Sequence, residues 1–185
     1  MVALIDCGSS KVKDIQSLLV NLQQQVTTIT LNQITKDMPT NWDAIVISGS
    51  PFLLKDRKPS TYLPYLNFLT TYNKPVLGIC FGHQAIGLAF GAKASMGKED
   101  RENRKINLLD KNHFLFNNLP PYPIFNQDHC EEITLPDNFT LLANSTHCEN
   151  EVMAHNSKPI YGVQFHPESS GENGKALLQN FCALL

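Results

Sequence analysis

Short apolar runs alternate with amphipathic stretches along the first half of the chain. Residues 2–5 form a continuous apolar run and read as a buried strand. Residues 12–22 carry apolar side chains at 12, 15, 18, 19 and 22, the spacing of one helix face. Residues 26–31 read as a second strand, with Val26, Thr28 and Thr30 alternating against Thr27, Ile29 and Leu31. Residues 44–47 make a third, closed by Ser48-Gly49-Ser50-Pro51. Residues 62–72 are predicted to be helical. Residues 75–79 form a fourth buried strand, and residues 82–90 a helix ended by Gly91.

Strands that are apolar throughout, alternating with helices, predict a mostly parallel sheet covered on both faces. The middle of the chain differs. Residues 105–109 and 122–134 read as antiparallel or edge structure, interrupted by Pro120-Pro121 and Pro136. Residues 160–165 return to a buried strand. Residues 174–184 close the chain as a helix with apolar side chains at 177, 178, 181 and 184. The expectation is one α/β domain over residues 1–185, with a small antiparallel extension.

Composition narrows the function. Hydrophobic residues make up 42% and charged residues 17%, enough to bury a core. Fifteen basic and seventeen acidic residues give a net charge of −2, without a Lys/Arg-rich run. That argues against tight nucleic-acid binding. The N-terminus lacks a signal-peptide pattern, and no apolar run is long enough for a membrane span. Five scattered cysteines (Cys7, Cys80, Cys130, Cys148, Cys182) suit a reducing cytoplasm better than a disulfide framework. The pairs His129-Cys130 and His147-Cys148 lack metal-ligand spacing, so the sequence calls for no metal and no cofactor.

One cysteine stands apart. Gly78-Ile79-Cys80-Phe81-Gly82 has the form G-x-C-x-G where a buried strand turns directly into a helix. That is a nucleophile elbow with Cys in place of Ser. Flanking glycines let neighbouring backbone come close, and the thiol projects at the helix N-terminus, where a thiolate is favoured. A lone cysteine is more often a small packed hydrophobe. That is the reading for Cys182, while Cys7 lacks the preceding glycine.

Gly162-Val163-Gln164-Phe165-His166-Pro167-Glu168 ends the late strand. Residues two apart in an extended segment share a side, so His166 and Glu168 can address one pocket. A thiol nucleophile needs a base, and the base gains from a carboxylate that orients it. His83, three residues beyond Cys80, belongs to the helix behind the elbow and reads as a packing histidine.

These two segments, with His83-Gln84 after the elbow, resemble class I glutamine amidotransferases. The resemblance covers nearly the whole chain and implies a flavodoxin-like fold. The stretch from Leu135 to Phe165 looks most like the glutaminase part of GMP synthases, with anthranilate and aminodeoxychorismate synthase glutaminases less similar. It implies a Cys80–His166–Glu168 triad that hydrolyses the side-chain amide of L-glutamine through a cysteinyl thioester. The implied oxyanion donors are the backbone of Phe81 and of Ser50 in the loop Ser48-Gly49-Ser50-Pro51. Gly49, Gln84, Asp128 and His129 are the implied substrate-binding residues.

Three departures from the family pattern bear on the site. Ser50 stands where the family's loop carries a second glycine. Asp128-His129 replaces a Ser-His pair. The opening Asp6-Cys7-Gly8-Ser9-Ser10 lacks the longer signature typical of GMP synthases. The chain also carries no ATP pyrophosphatase loop and no G-x-G-x-x-G. The resemblance therefore implies a separate, ATP-using synthase subunit that accepts the ammonia. The rival reading is a stand-alone cysteine hydrolase of another small amide, such as a γ-glutamyl compound.

Overall fold

A computed structural model describes residues 1–34, 42–56 and 58–185. In chain order its elements are β1 (Val2–Asp6), α1 (Val12–Asn21), β2 (Val26–Thr30), β3 (Ala44–Ile47), β4 (Val76–Ile79), α2 (Phe81–Ala89), β5 (Ala94–Asp100), β6 (Asn103–Lys105), β7 (Asn107–Leu108), β8 (Ile124–Asn126), β9 (His129–Ile133), β10 (Phe139–Asn144), β11 (Val152–His155), β12 (Ile160–Val163) and α3 (Gly171–Cys182). An eight-stranded sheet runs in the order β2-β1-β3-β4-β12-β11-β10-β7. Its first five strands pair in parallel and its last three are antiparallel. The parallel part has the flavodoxin-like order, and its switch point lies between β1 and β3. Two antiparallel pairs, β5 with β9 and β6 with β8, form the small extension.

The apolar strands are buried because both faces are covered. Val2, Leu4, Val46, Leu77 and Ile79 pack with Ile15 and Leu19 of α1 and Leu177 and Phe181 of α3. Their neighbours Ala3, Ile5, Ile45, Ile47 and Val76 face the other way, onto Phe81, Ala85 and Ile86 of α2 and onto Leu66 and Leu69. The period of two splits each strand between two cores.

The segment predicted as a helix over residues 62–72 is a 3₁₀ run, Leu63–Thr70. Its apolar anchors Leu63, Leu66 and Leu69 recur every three residues, which aligns them on one face of a three-residue turn. The hydroxyls of Thr70 and Thr71 donate to carbonyls three residues back, at 2.8 and 3.1 Å, and reinforce the tighter winding. α3 begins at Gly171, three residues before its predicted start. Gly171 has φ +57°, a conformation that glycine tolerates best.

A close backbone contact joins α2 to the sheet at Gly82. A Cβ there would lie 2.3 Å from the Ile47 carbonyl oxygen, so α2 rests directly on the end of β3. Substituting Gly82→Ala should lower stability by about 1–3 kcal/mol through overpacking. A thermal melt would then show a midpoint depressed by roughly 2–12 °C. An unchanged midpoint would mean the two elements are free to separate.

Candidate active site

Cys80 joins β4 to α2 with φ 52° and ψ −106°, a strained conformation for a residue with a side chain. Its N–H donates to the Val163 carbonyl at 2.8 Å, which ties the elbow to β12. A Cβ on Gly78 would sit 2.5 Å from the Gly82 carbonyl, so the first glycine of the motif is as necessary as the second. Cys80 is 6% exposed and lines a cavity of about 310 Å³ at the C-terminal ends of the parallel strands. That volume suits a ligand the size of an amino acid.

His166 and Glu168 meet as expected, with His166 Nδ1 2.6 Å from Glu168 Oε1. The route differs from the predicted extended segment. β12 ends at Val163, and Pro167–Ser169 form a 3₁₀ turn that folds Glu168 back onto His166. The Glu168 side chain is fully buried. The His166 backbone N–H donates to the Asn126 carbonyl, and Ser170 Oγ donates to the His166 carbonyl at 2.6 Å, so the turn is pinned at both ends. Burial opposes charge on His166, but its interactions with the neighbouring Cys80 and Glu168 outweigh it. Its pKa is therefore held well above the usual imidazole value.

The remaining predicted residues surround the same cavity. Phe81, Ser50, Gln84, Asp128 and His129 line it. Gly49 packs against the catalytic pair: a Cβ there would be 3.2 Å from His166 Cε1 and 3.7 Å from Cys80 Cβ. Phe81 opens α2, so its N–H belongs to the helix's unpaired first turn. Ser48 Oγ accepts from Cys7 N–H at 3.0 Å and donates to the Gly49 carbonyl at 2.8 Å. That bond orients the peptide whose N–H belongs to Ser50. The Ser50 hydroxyl turns away to accept from Phe52 N–H.

Asp128 stands at the mouth, paired with Lys11 at 3.2 Å and with Arg101. Burial works against its charge, and these two cations more than offset it, so the carboxyl titrates below its usual range. His83 is wholly buried behind the elbow, as expected for a packing histidine. It fills the space over Gly162, where a Cβ would be 2.5 Å from its Nδ1.

Several contributors went unrecognised in the sequence. Gln164 Nε2 lies 3.7 Å from Cys80 Sγ, and its Oε1 accepts from Gln84 Nε2 at 3.1 Å. The alternation that groups His166 with its motif also covers Gln164. Glu131 is buried, and its two oxygens accept from Leu54 N–H at 2.6 Å and Lys55 N–H at 2.9 Å. It anchors the loop after β3 to β9. An acidic residue on the inward side of a His-x-Glu-x-Ile strand was the available signal. Lys11 and Arg101 carried none, because only the fold brings them to Asp128.

The chain matches Glutamine amidotransferase class-I over residues 3–185. It is similar to a glutamine-hydrolyzing GMP synthase subunit of Thermococcus kodakarensis, 36% identical over 191 residues that cover 100% of this chain and 98% of the relative. The corresponding protein of Methanocaldococcus jannaschii is 31% identical over 186 residues, 98% of this chain and 96% of the relative. Among solved structures, a Thermoplasma acidophilum protein described as a GMP synthase subunit superposes with a TM-score of 0.89 at 27% identity. That match covers 99% of this chain and 92% of the other.

Replacing Glu131→Ala leaves two backbone donors without their acceptor and should cost about 1–3 kcal/mol. The loop bearing Ser50 would loosen, and amide exchange at Leu54 and Lys55 reports it directly. Exchange as slow as in the parent protein would show that something else holds the loop.

His83 supplies a pH signature. Burial drops its pKa to about 3, so between about 6.5 and 3 the unfolded chain binds a proton that the folded one does not. Its part of the stability is complete above pH 6.5 and falls by about 1.4 kcal/mol per unit as pH drops through that window. Urea unfolding at pH 7 and pH 5 should show the loss, reduced in a His83→Gln variant.

Proposed function

The chain belongs to the class-I glutamine amidotransferase family, and on that premise we propose how its cavity hydrolyses glutamine and where the ammonia goes. Cys80 Sγ attacks the side-chain amide carbon of L-glutamine. His166, held by Glu168, gives its proton to the departing nitrogen, and ammonia leaves. A cysteinyl thioester remains. His166, now neutral, takes a proton from water, the hydroxide attacks the thioester, and glutamate is released. The N–H groups of Phe81 and Ser50 hold the oxyanion at both tetrahedral stages. The observation that carries this reading is the series from Cys80 and His166, which share the cavity, to a fully buried Glu168 behind His166.

Gln84, Asp128, His129 and Gly49 hold the substrate. Gly49 keeps the wall beside Cys80 free of side chain. The charged trio Lys11, Asp128 and Arg101 at the mouth meets the zwitterionic end of the amino acid. No metal or cofactor enters the scheme.

Residues 1–185 act as one glutaminase domain that passes ammonia to a separate synthase, which activates its acceptor with ATP. The most fitting acceptor enzyme is GMP synthase-like, and the relatives named as glutamine-hydrolyzing GMP synthase subunits support that choice. The cytoplasm suits five unpaired cysteines. Among the described residues no helix is long and apolar enough to cross a membrane.

A glutamine-analogue electrophile followed by mass spectrometry tests the site. The expected adduct is on Cys80 alone, blocked by glutamine and lost in Cys80→Ala. Burial raises the pKa of Cys7 to about 12 and that of Cys182 to about 11, and it raises Cys148 as well, so those thiols should stay silent. Half-buried Cys130 also lines the cavity and is the one to watch with a general alkylator. Glu168→Gln should lower kcat by about 10²–10⁴-fold, measured with the synthase present. Labelling of Cys80 by the general reagent but not by the analogue would instead favour another amide substrate.

A further inference from the structure

Glu151 is a buried carboxyl that the reaction scheme leaves idle. It precedes β11 and is 0% exposed. Among the described residues its side-chain partners are polar and uncharged: the Gln127 amide, which donates from Nε2 to Oε1 at 3.0 Å, and the Ser145 hydroxyl beside it. Its Oε2 has no hydrogen-bond partner. The charge that acts on it is that of Asp100, of the same sign. A buried carboxyl without a cation weakens a fold, and an amide or apolar side chain would fill the space more cheaply.

The bonds beyond it lead to the active site. Gln127 is 1% exposed, and its Oε1 lies 3.1 Å from His129 Nε2. His129 is 6% exposed and lines the cavity that holds Cys80. Its other nitrogen, Nδ1, has no hydrogen-bond partner among the described residues, and the ring lies near the Glu131 backbone. The Glu131 carbonyl accepts from Gln84 Nε2 at 2.8 Å. Three buried side chains thus run in series from Glu151 to a wall of the glutamine pocket.

An amide has a donor end and an acceptor end, so it transmits the state of one neighbour to the other. When Glu151 is ionised it must accept from Gln127 Nε2. Gln127 Oε1 then faces His129, whose Nε2 must carry the hydrogen. When Glu151 is protonated its hydroxyl can donate to Gln127 Oε1. The amide inverts, its NH₂ donates to a bare His129 Nε2, and the ring proton sits on Nδ1. The ring stays neutral in both arrangements, because burial lowers its pKa. Only one proton is exchanged with solvent, at Glu151.

We infer that Glu151 and Gln127 are positioning residues for His129, the protonation of Glu151 selecting through the Gln127 amide which ring nitrogen of His129 carries its hydrogen beside the substrate. This rests on the glutamine reading of the same cavity. The groups facing the relay are Asp100, Ser145 and Cys148 around Glu151, and Asp100, Asp128, His83 and His166 around His129. Desolvation raises the Glu151 pKa to about 7, so the switch falls in the neutral range. Below it the His129 hydrogen sits on Nδ1, away from Gln127. Above it the hydrogen sits on Nε2, towards Gln127.

The test is ¹⁵N NMR of the full chain with labelled histidines, from pH 6 to pH 8.5 and without substrate. The His129 signals are identified by their loss in His129→Asn. The wild-type ring should pass from the Nδ1–H to the Nε2–H tautomer as pH rises, with a midpoint near 7. Glu151→Gln and Gln127→Met should each abolish the transition. With the synthase present, the glutaminase kcat/KM should change by about 2- to 10-fold across the same range in the wild type, the worth of about one hydrogen bond. It should stay flat there in both variants. A His129 tautomer independent of pH in the wild type, or a transition surviving in both variants, overturns the relay. If Glu151→Gln does not fold, Gln127→Met carries the comparison. The NMR arm needs no glutamine, so it separates failure of the relay from failure of the glutamine site, which analogue labelling of Cys80 reports.

Discussion

The active site depends on how closely α2 approaches β3. Gly82 lets the helix rest on the Ile47 carbonyl, and Gly78 lets the elbow close against the first turn of the helix. Any side chain at either position would push Cys80 away from the loop that follows β3. That approach is what places Gly49 against both Cys80 and His166, with Ser50 lining the same cavity as the thiol. The strained dihedrals of Cys80 persist because β12 and α2 hold it from both sides.

Around this contact the polar groups form a connected frame. Ser48 ties the ends of β1 and β3 together. Glu131 ties the loop after β3 to β9. Gln84 and Gln164 link α2 to β9 and to the residue after β12, and Gln164 ends at the Cys80 sulfur. The loops that carry Ser50, Cys80 and His166 are thus fixed by buried hydrogen bonds, which are strong in a dry interior and costly to leave unpaired. Such a frame suits a reaction whose oxyanion donors must stand in place before the substrate arrives.

The mouth is built differently. Lys11, Asp128 and Arg101 are partly exposed and held by ion pairs that water and salt weaken. On the proposed scheme the rigid floor holds the reacting groups, and the softer rim meets the part of the substrate that does not react. This division agrees with the family's Ser-His being replaced by Asp128-His129 here. The outer residue of the pair is recruited to the charged rim, while His129 remains inside the frame.

The sequence by itself determined the elements with strong periodicity and the residues whose chemistry is local. The apolar runs of β1, β3 and β4, the helical stripe of α1 and the glycine-flanked Cys80 were legible because each signal lies within a few consecutive residues. The triad was legible because His166 and Glu168 are neighbours in the chain and the elbow marks its partner. The tertiary structure alone decided the rest. The segment after Tyr62 wound as 3₁₀ because its leucines repeat every three residues against α2, a choice that packing makes. Glu168 reached His166 by a turn, not by strand alternation, because Ser170 and Asn126 fold the chain there. Lys11, Arg101, Glu131 and Glu151 gained their places from contacts with residues distant in sequence. No local pattern can encode such a meeting, because it exists only once the sheet has brought the strand ends together.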